Sequence, residues 1–268
     1  MEVPLVDPLS RPDALDIQVR SQRTGKTLTQ QVAPTPSVAG LWATGTGPGA
    51  LSVTGALTSV NGRIHSDGDL ALAGIFLNLT GGVEHVGNLS QFSLLSTVNP
   101  LPTKVASGGA PVVHTIDEFR PGSPTALAAG ASYTAINASE CRNGTWRPPS
   151  GRELNGIVYV PCGVDIAAPR STVRALIAAE GPITVSGLGA RIEPAQPGLP
   201  ALVTGAEGDN AIRLTGANLN VNGAVFAPRG GVQFTGLGST FRCGAVASSI
   251  RVVGALNRFV VDEGCLPA

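Results

Sequence analysis

The sequence predicts an all-β chain wound as a parallel β-helix, a β-solenoid with coils of about 19 residues and one long irregular insertion. Three observations predict it: a recurring five-residue motif, a near-constant spacing between copies, and a large apolar residue at a fixed distance after each copy. In the motif an apolar residue, any residue, a second apolar residue and a small residue lead into glycine. Copies occupy 51–55, 70–74, 183–187, 212–216, 232–236 and 250–254, and 164–168 is a degenerate copy with Ala168 in place of the glycine. Neighbouring glycine positions lie 74 − 55 = 19, 187 − 168 = 19, 236 − 216 = 20 and 254 − 236 = 18 residues apart.

The alternation places every second side chain on one face of a strand, and glycine permits a corner without a Cβ clash. Five residues after each corner glycine stands Val60, Leu79, Ile192, Val221, Phe241 or Phe259, which predicts an inward column. Second corners follow at Asn61-Gly62, Gly81-Gly82, Asn222-Gly223 and Cys243-Gly244, where residues tolerant of positive φ belong. One such unit buries almost nothing alone, so the units must stack. An ordinary β-sandwich with Gly-rich turns would not hold so constant a phase across distant parts of the chain. Residues 51–64 also match 212–225 at a fixed offset of 161, with Thr54/Thr215, Gly55/Gly216, Ala56/Ala217, Val60/Val221, Asn61/Asn222 and Gly62/Gly223 identical.

Composition agrees. Of 268 residues 35 are glycine and 21 proline, while aromatics make up 4%, as thin coils of Val, Leu, Ile and Ala require few rings. The 18 basic and 18 acidic side chains cancel and are scattered, which gives no electrostatic footprint for nucleic acid or an anionic membrane. The longest apolar stretch, 70–79, is too short and too polar to span a bilayer.

Organised along the chain, residues 1–40 lack the motif and read as an N-terminal extension or cap. They carry a short helix over 10–17 started by Pro12 and Asp13, or an extended strand around Leu15 to Val19, and a linker at 34–37. Residues 41–268 form the solenoid, with coils over 48–86 and from 156 to the end. Between them the period disappears into Ser, Thr, Pro and Ala, so 87–155 is read as an insertion on one face, which would carry the binding surface. Its exposed anchors would include Tyr133, Arg142 and Trp146.

The run from Val221 to Gly236, with Asn222-Gly223-Ala224 and Ala227-Pro228-Arg229-Gly230, resembles a signature in the C-terminal regions of bacterial TadE/TadG-like (Flp/Tad) pilus-assembly proteins. Val60-Asn61-Gly62 followed by His65-Ser66-Asp67-Gly68-Asp69 resembles a second segment of the same family. The resemblance covers 48–86 and 156–260. It implies an exported bacterial protein, extracellular or held in the cell envelope, with a structural or adhesive role. Its partner would be a protein or glycan at the cell surface, pilus subunits, or further copies of itself. Such relatives usually begin with a hydrophobic membrane helix, which this sequence does not contain.

The cysteines agree with that compartment. Cys141, Cys162, Cys243 and Cys265 form no CxxC or Cys/His cluster, and the separations 162 − 141 = 21 and 265 − 243 = 22 are close to one coil. The pairing expected is Cys141–Cys162 and Cys243–Cys265. No cofactor, metal or catalytic set is read from the sequence. His65-Ser66-Asp67-Gly68-Asp69 occupies the repeat position of Phe226-Ala227-Pro228-Arg229-Gly230-Gly231 and reads as a polar turn. Asp117 and Glu118, near Arg120, read as solvated carboxylates rather than a glycosidase pair. The alternative function is a polysaccharide-binding or polysaccharide-degrading β-helix, which would need clustered acids or bases on one ladder, and none stands out. Thr54, Ala73, Ser186, Thr215, Thr235 and Val253, before the corner glycines, are too mixed for an ice-binding array.

Overall fold

The computed structural model describes residues 15–20, 27–32, 39–106, 111–149, 154–261 other than 168, 171, 195 and 197, and Cys265. The chain divides into two compact units. In the first, Leu15–Arg20 pairs antiparallel with Thr27–Val32, Leu15 opposite Val32 and Arg20 opposite Thr27. The expected strand is present. The expected helix is not, because Leu15, Ile17 and Val19 alternate with polar residues at the strand period. Positions 10–14 and the 34–37 linker lie outside the described residues.

The second unit is a parallel β-solenoid. Each complete coil has three strands, called here sides 1, 2 and 3. In the coil that begins at the motif Leu51-Ser52-Val53-Thr54-Gly55 these are Leu51–Ala56, Ser59–Asn61 and Arg63–Ser66. Register between coils is kept residue for residue: Leu51 lies opposite Leu70, Val60 opposite Leu79 and Ile64 opposite Val83. Val60, Leu79, Ile192, Val221, Phe241 and Phe259 are all buried in one continuous core. Phe234 meets Phe241 and Phe259 edge-on at 4.6 and 5.1 Å, filling the interior of the last coils.

The order of stacking differs from the order of the sequence. The chain enters mid-solenoid at Ala39–Ala43 and winds outward through Leu70–Ile75 to a terminal coil of Leu89–Leu94, Thr97–Asn99 and Thr103–Lys104. It then crosses to the opposite end, where Tyr133–Ala135 pairs with Asn155–Val160, and Thr145–Trp146 with Gly163–Ala167. From there it winds back inward until Ala245–Ala255 lies against Ala39–Ala43 and Leu51–Ala56, and Arg258–Val260 against Ser59–Asn61. Two runs of coils, each with its own free end, are thus joined in the middle.

This corrects the insertion boundaries of 87–155. Residues 89–104 form a full coil, and 133–146 supply two strands of the coil at the other end. The motif is missing there because Ser93 replaces the corner glycine and Gln91 stands opposite Leu72, yet parallel pairing needs only backbone groups. The true excursion is the crossover after Lys104. It is not a displayed loop, because Ile116 and Phe119 are buried against the outward side of side 3. There Tyr159, Ala178, Val203, Phe226, Val246 and Trp42 stand in register on successive coils, forming a second core beneath the strap. Pro124 at the first turn and the Ser123 hydroxyl, accepting from the Ala126 amide, start its one short helix, Pro124–Ala129.

Candidate functional site

The end coil that begins the inward run forms a cleft of about 780 Å³, lined by Ser139, Glu140, Arg142, Asn143, Thr145, Trp146, Arg147 and Pro149. Two of the three expected anchors meet in it. Arg142 is exposed at its rim and bridges in antiparallel fashion to Thr145. Trp146 is 1% exposed, which corrects its reading as a surface anchor. It lies opposite Val164 and so takes the inward apolar position of side 1, closing the core at this end. Arg147 is held by Asp165 of the next coil at 2.9 Å. Cys141 and Cys162 are disulfide-bonded across adjacent coils, as expected, with Cα atoms 6.3 Å apart.

Tyr133 does not line this cleft. It is half-buried under the crossover, where its hydroxyl donates to the Phe119 carbonyl at 2.9 Å and burial pushes its phenol up. Beside it, the carboxylates of the crossover are committed. Asp117 pairs with Arg120, Arg120 forks onto Glu180 at 2.7 and 3.0 Å, and Tyr159 donates to Glu180 at 2.8 Å. The Arg120 guanidinium holds the Glu180 carboxyl below the usual range against the opposing effect of burial. Burial, then the bond to Glu180, pushes Tyr159 up to about 12. Glu118 accepts from the Thr115 amide and meets His114 at 2.8 Å, so Asp117 and Glu118 do not face one another across a substrate space.

His65 and Asp67, read from the sequence as a polar turn, belong to a polar cluster further along the outward column of side 3, where Trp42 is followed by His65 and then Glu84. The buried His65 ring touches Asp67 at 2.9 Å through Nε2 and Glu84 at 3.3 Å through Nδ1, and lies against Trp42 at a tilt of 32° with centroids 4.2 Å apart. Burial would push the Glu84 carboxyl up, but its hydrogen bond and charge pairing with Arg63, then His65, hold it below the usual range. The legible signal was the coil period itself, since 84 − 65 = 19. The imidazole is fully enclosed, so the cluster ties coils together rather than meeting a solute.

A second cleft, of about 640 Å³, opens where the two runs of coils join. Gly45, Pro48, Asp209, Asn210, Arg213, Gln233, Ser249 and Arg251 are among its lining residues. Arg213, Gln233 and Arg251 stand in register on three successive coils, so one outward column of side 1 carries two cations on either side of a glutamine. The column is interrupted by Gln233 and ends at Ser52, so it is short of a continuous basic ladder. An intervening residue of each motif, not its apolar frame, supplies these side chains.

Among the described residues, no group of three or more His, Cys, Asp and Glu side chains is placed to hold a metal ion, and no helix is long and apolar enough to cross a membrane. Comparison of the chain with protein-family models, curated proteins and solved structures returns no match.

Proposed function

We propose that the protein is a non-catalytic structural or adhesive β-solenoid of the bacterial cell envelope, of the kind associated with TadE/TadG-like pilus assembly. The observation that carries this reading is the pair of disulfides, Cys141–Cys162 and Cys243–Cys265, which persist in oxidising compartments. The first joins adjacent coils, and the second fastens the chain's last segment to the turn after Thr240–Arg242. The rest of the molecule supports it: apolar columns serve stacking, His65 and His114 meet carboxylates of the fold itself, and His85 meets the Gly87 carbonyl. A stack in which each interior coil is held by both neighbours is a stiff carrier for surface contacts. Surface labelling of intact producing cells, with fractionation of sheared pili, tests the reading. Label on the surface or pilus fraction is expected, and confinement to the cytoplasm would overturn it.

A second reading, binding of an acidic polysaccharide, is favoured by the Arg213–Gln233–Arg251 column. Coils repeat at about 4.8 Å, so the two guanidinium-bearing positions lie on the order of 10 Å apart along one open groove. Guanidinium groups pair bidentately with carboxylates, and Gln233 between them offers amide bonds to hydroxyls. Titration with a polyuronate is expected to show salt-sensitive binding that Arg213→Ala and Arg251→Ala each weaken. Equal binding by both variants removes this reading.

A further inference from the structure

The two ends of the solenoid are finished differently. At the Trp146 end the terminal strands are short, Tyr133–Ala135 and Thr145–Trp146, the core is closed by an indole, and a disulfide ties the loop down. At the opposite end, Leu89–Leu94 pairs along one side with Leu70–Ile75, and Thr97–Asn99 with Asn78–Thr80. Among the described residues no strand occupies their other side. Such an edge presents a row of unpaired N–H and C=O groups, which proteins ordinarily blunt with lysine, proline, bulges or a covering element. Here the first two sides, 88–99, contain no Asp, Glu, Lys or Arg, and Pro100, Pro102 and the exposed Lys104 guard only the third side.

The side chains of this coil are as exposed as its backbone. Four of the five most exposed large hydrophobic residues among those described are Phe92 at 79%, Leu101 at 77%, Leu95 at 76% and Leu94 at 59%. Leu95 holds φ of 52° at a corner where Leu57, Phe76 and Leu256 on other coils also take positive φ and remain about half exposed, so what the missing neighbour adds is the further exposure of Leu95.

We propose that this open end is an interface between two copies of the chain, docked end to end about a two-fold axis through Leu89–Leu94. The absence of charge selects a second copy as occupant. An isologous interface places each patch against itself, so any net charge would face its like, and the two sides at 88–99 have none to oppose. An acidic or basic partner would find no complement there. Antiparallel self-pairing of the six-residue strand sets Leu89 of one copy opposite Leu94 of the other, with Gln91 and Phe92 flanking the axis. It satisfies the edge backbone and brings Leu94 and Leu95 toward the half-exposure of the same positions on interior coils. Because the other end is closed by Trp146 and its loop, association stops at two copies and does not run on into a fibre.

Sedimentation velocity of the full oxidised chain across a concentration series tests this. Wild type is expected to show a reversible monomer–dimer equilibrium. Phe92→Lys and Phe92→Glu are each expected to weaken it by on the order of 100-fold, through like charges meeting near the axis. An equimolar mixture of the two variants is expected to restore the dimer. Phe92 is exposed in the monomer, so both variants should melt, when dilute, at the temperature of dilute wild type. A wild type that remains monomeric throughout overturns the proposal, as does a dimer that survives both substitutions.

Discussion

Gly55 and Gly254 lie opposite each other on adjacent coils although 254 − 55 = 199 residues separate them in the chain. A Cβ added to Gly55 would stand 2.1 Å from the Gly254 carbonyl oxygen, and one added to Gly74 would stand 1.9 Å from that of Gly55. The corner glycine of the motif is therefore dictated by the coil beneath it. At the 55/254 step the constraint falls on the seam where the two runs of coils meet.

Gly55→Ala is accordingly expected to destabilise by roughly 2–4 kcal/mol in chemical denaturation, since the obstruction is backbone and cannot swing aside. Gly47→Ala is the control. A Cβ there meets nothing within 4 Å, and the change should stay within about 0.5 kcal/mol. Equal stability of the two variants would show that the seam is not packed as described.

The interior column gives a second test. Phe234→Ala removes a ring held edge-on by two others and is expected to cost about 3–5 kcal/mol. Val221→Asp, at a position 1% exposed, should be more damaging still, because it buries a charge with no partner. A wild-type melting temperature in either variant would contradict the burial assigned here.

The motif was legible because it is set by local collisions and by the inward phase of each strand, both of which repeat with every coil. The order in which coils stack was not. Every coil offers the same interface, so nothing in 51–56 distinguishes a neighbour at 70–75 from one at 250–255, and only the assembled chain shows that it has both. The end coils were missed for a related reason. A terminal coil buries one side only, so Gln91 can occupy the place of a leucine and the alternation fades. Trp146 misled in the opposite sense: in a Pro- and Ser-rich stretch it reads as a surface aromatic, whereas the core's open end is where a large ring is required. His65 and Glu84 were separated by one coil and met only when that period was applied to polar residues as well as apolar ones.

The cysteines allow a covalent check. Peptide mapping without reduction is expected to recover the 141–162 and 243–265 linkages and no other. Each closes a loop whose cross-link is worth about 3 kcal/mol by chain entropy. Cys141→Ser/Cys162→Ser and Cys243→Ser/Cys265→Ser should therefore each lower stability, and reduction of the wild type should reproduce the sum of the two. Four alkylatable thiols in protein prepared under oxidising conditions would remove both bridges and the compartment inferred from them.

On the acid side the sensitive group is Glu180. Its folded value lies below the ordinary 4.5, with the Arg120 fork as the main cause, so the unfolded chain binds the proton first. The contribution is present above pH 4.5 and is lost as pH falls through the depressed folded value. Glu180→Gln is expected to lower stability at neutral pH and to flatten the acid limb of the stability curve below pH 4.5. An unchanged limb would mean that the fork carries no stability.

Tyr159 supplies the converse on the alkaline side, and its sign follows from the same linkage. Burial and the bond to Glu180 raise the phenol from 10 to about 12, so above pH 10 the unfolded chain releases its proton while the folded chain keeps it. Stability from this group is complete below pH 10 and is lost as pH rises from 10 through about 12. Absorbance titration of the folded protein should therefore show one tyrosine ionising well above the ordinary value, followed by a loss of cooperative unfolding. Tyr159→Phe should delete that late step and flatten the alkaline limb while leaving Arg120 and Glu180 paired. Tyr133, whose phenol is also raised by burial, remains in the variant as the internal reference. If the late step persists in Tyr159→Phe, it belongs to Tyr133, and the phenol bonded to Glu180 is not the one that titrates last.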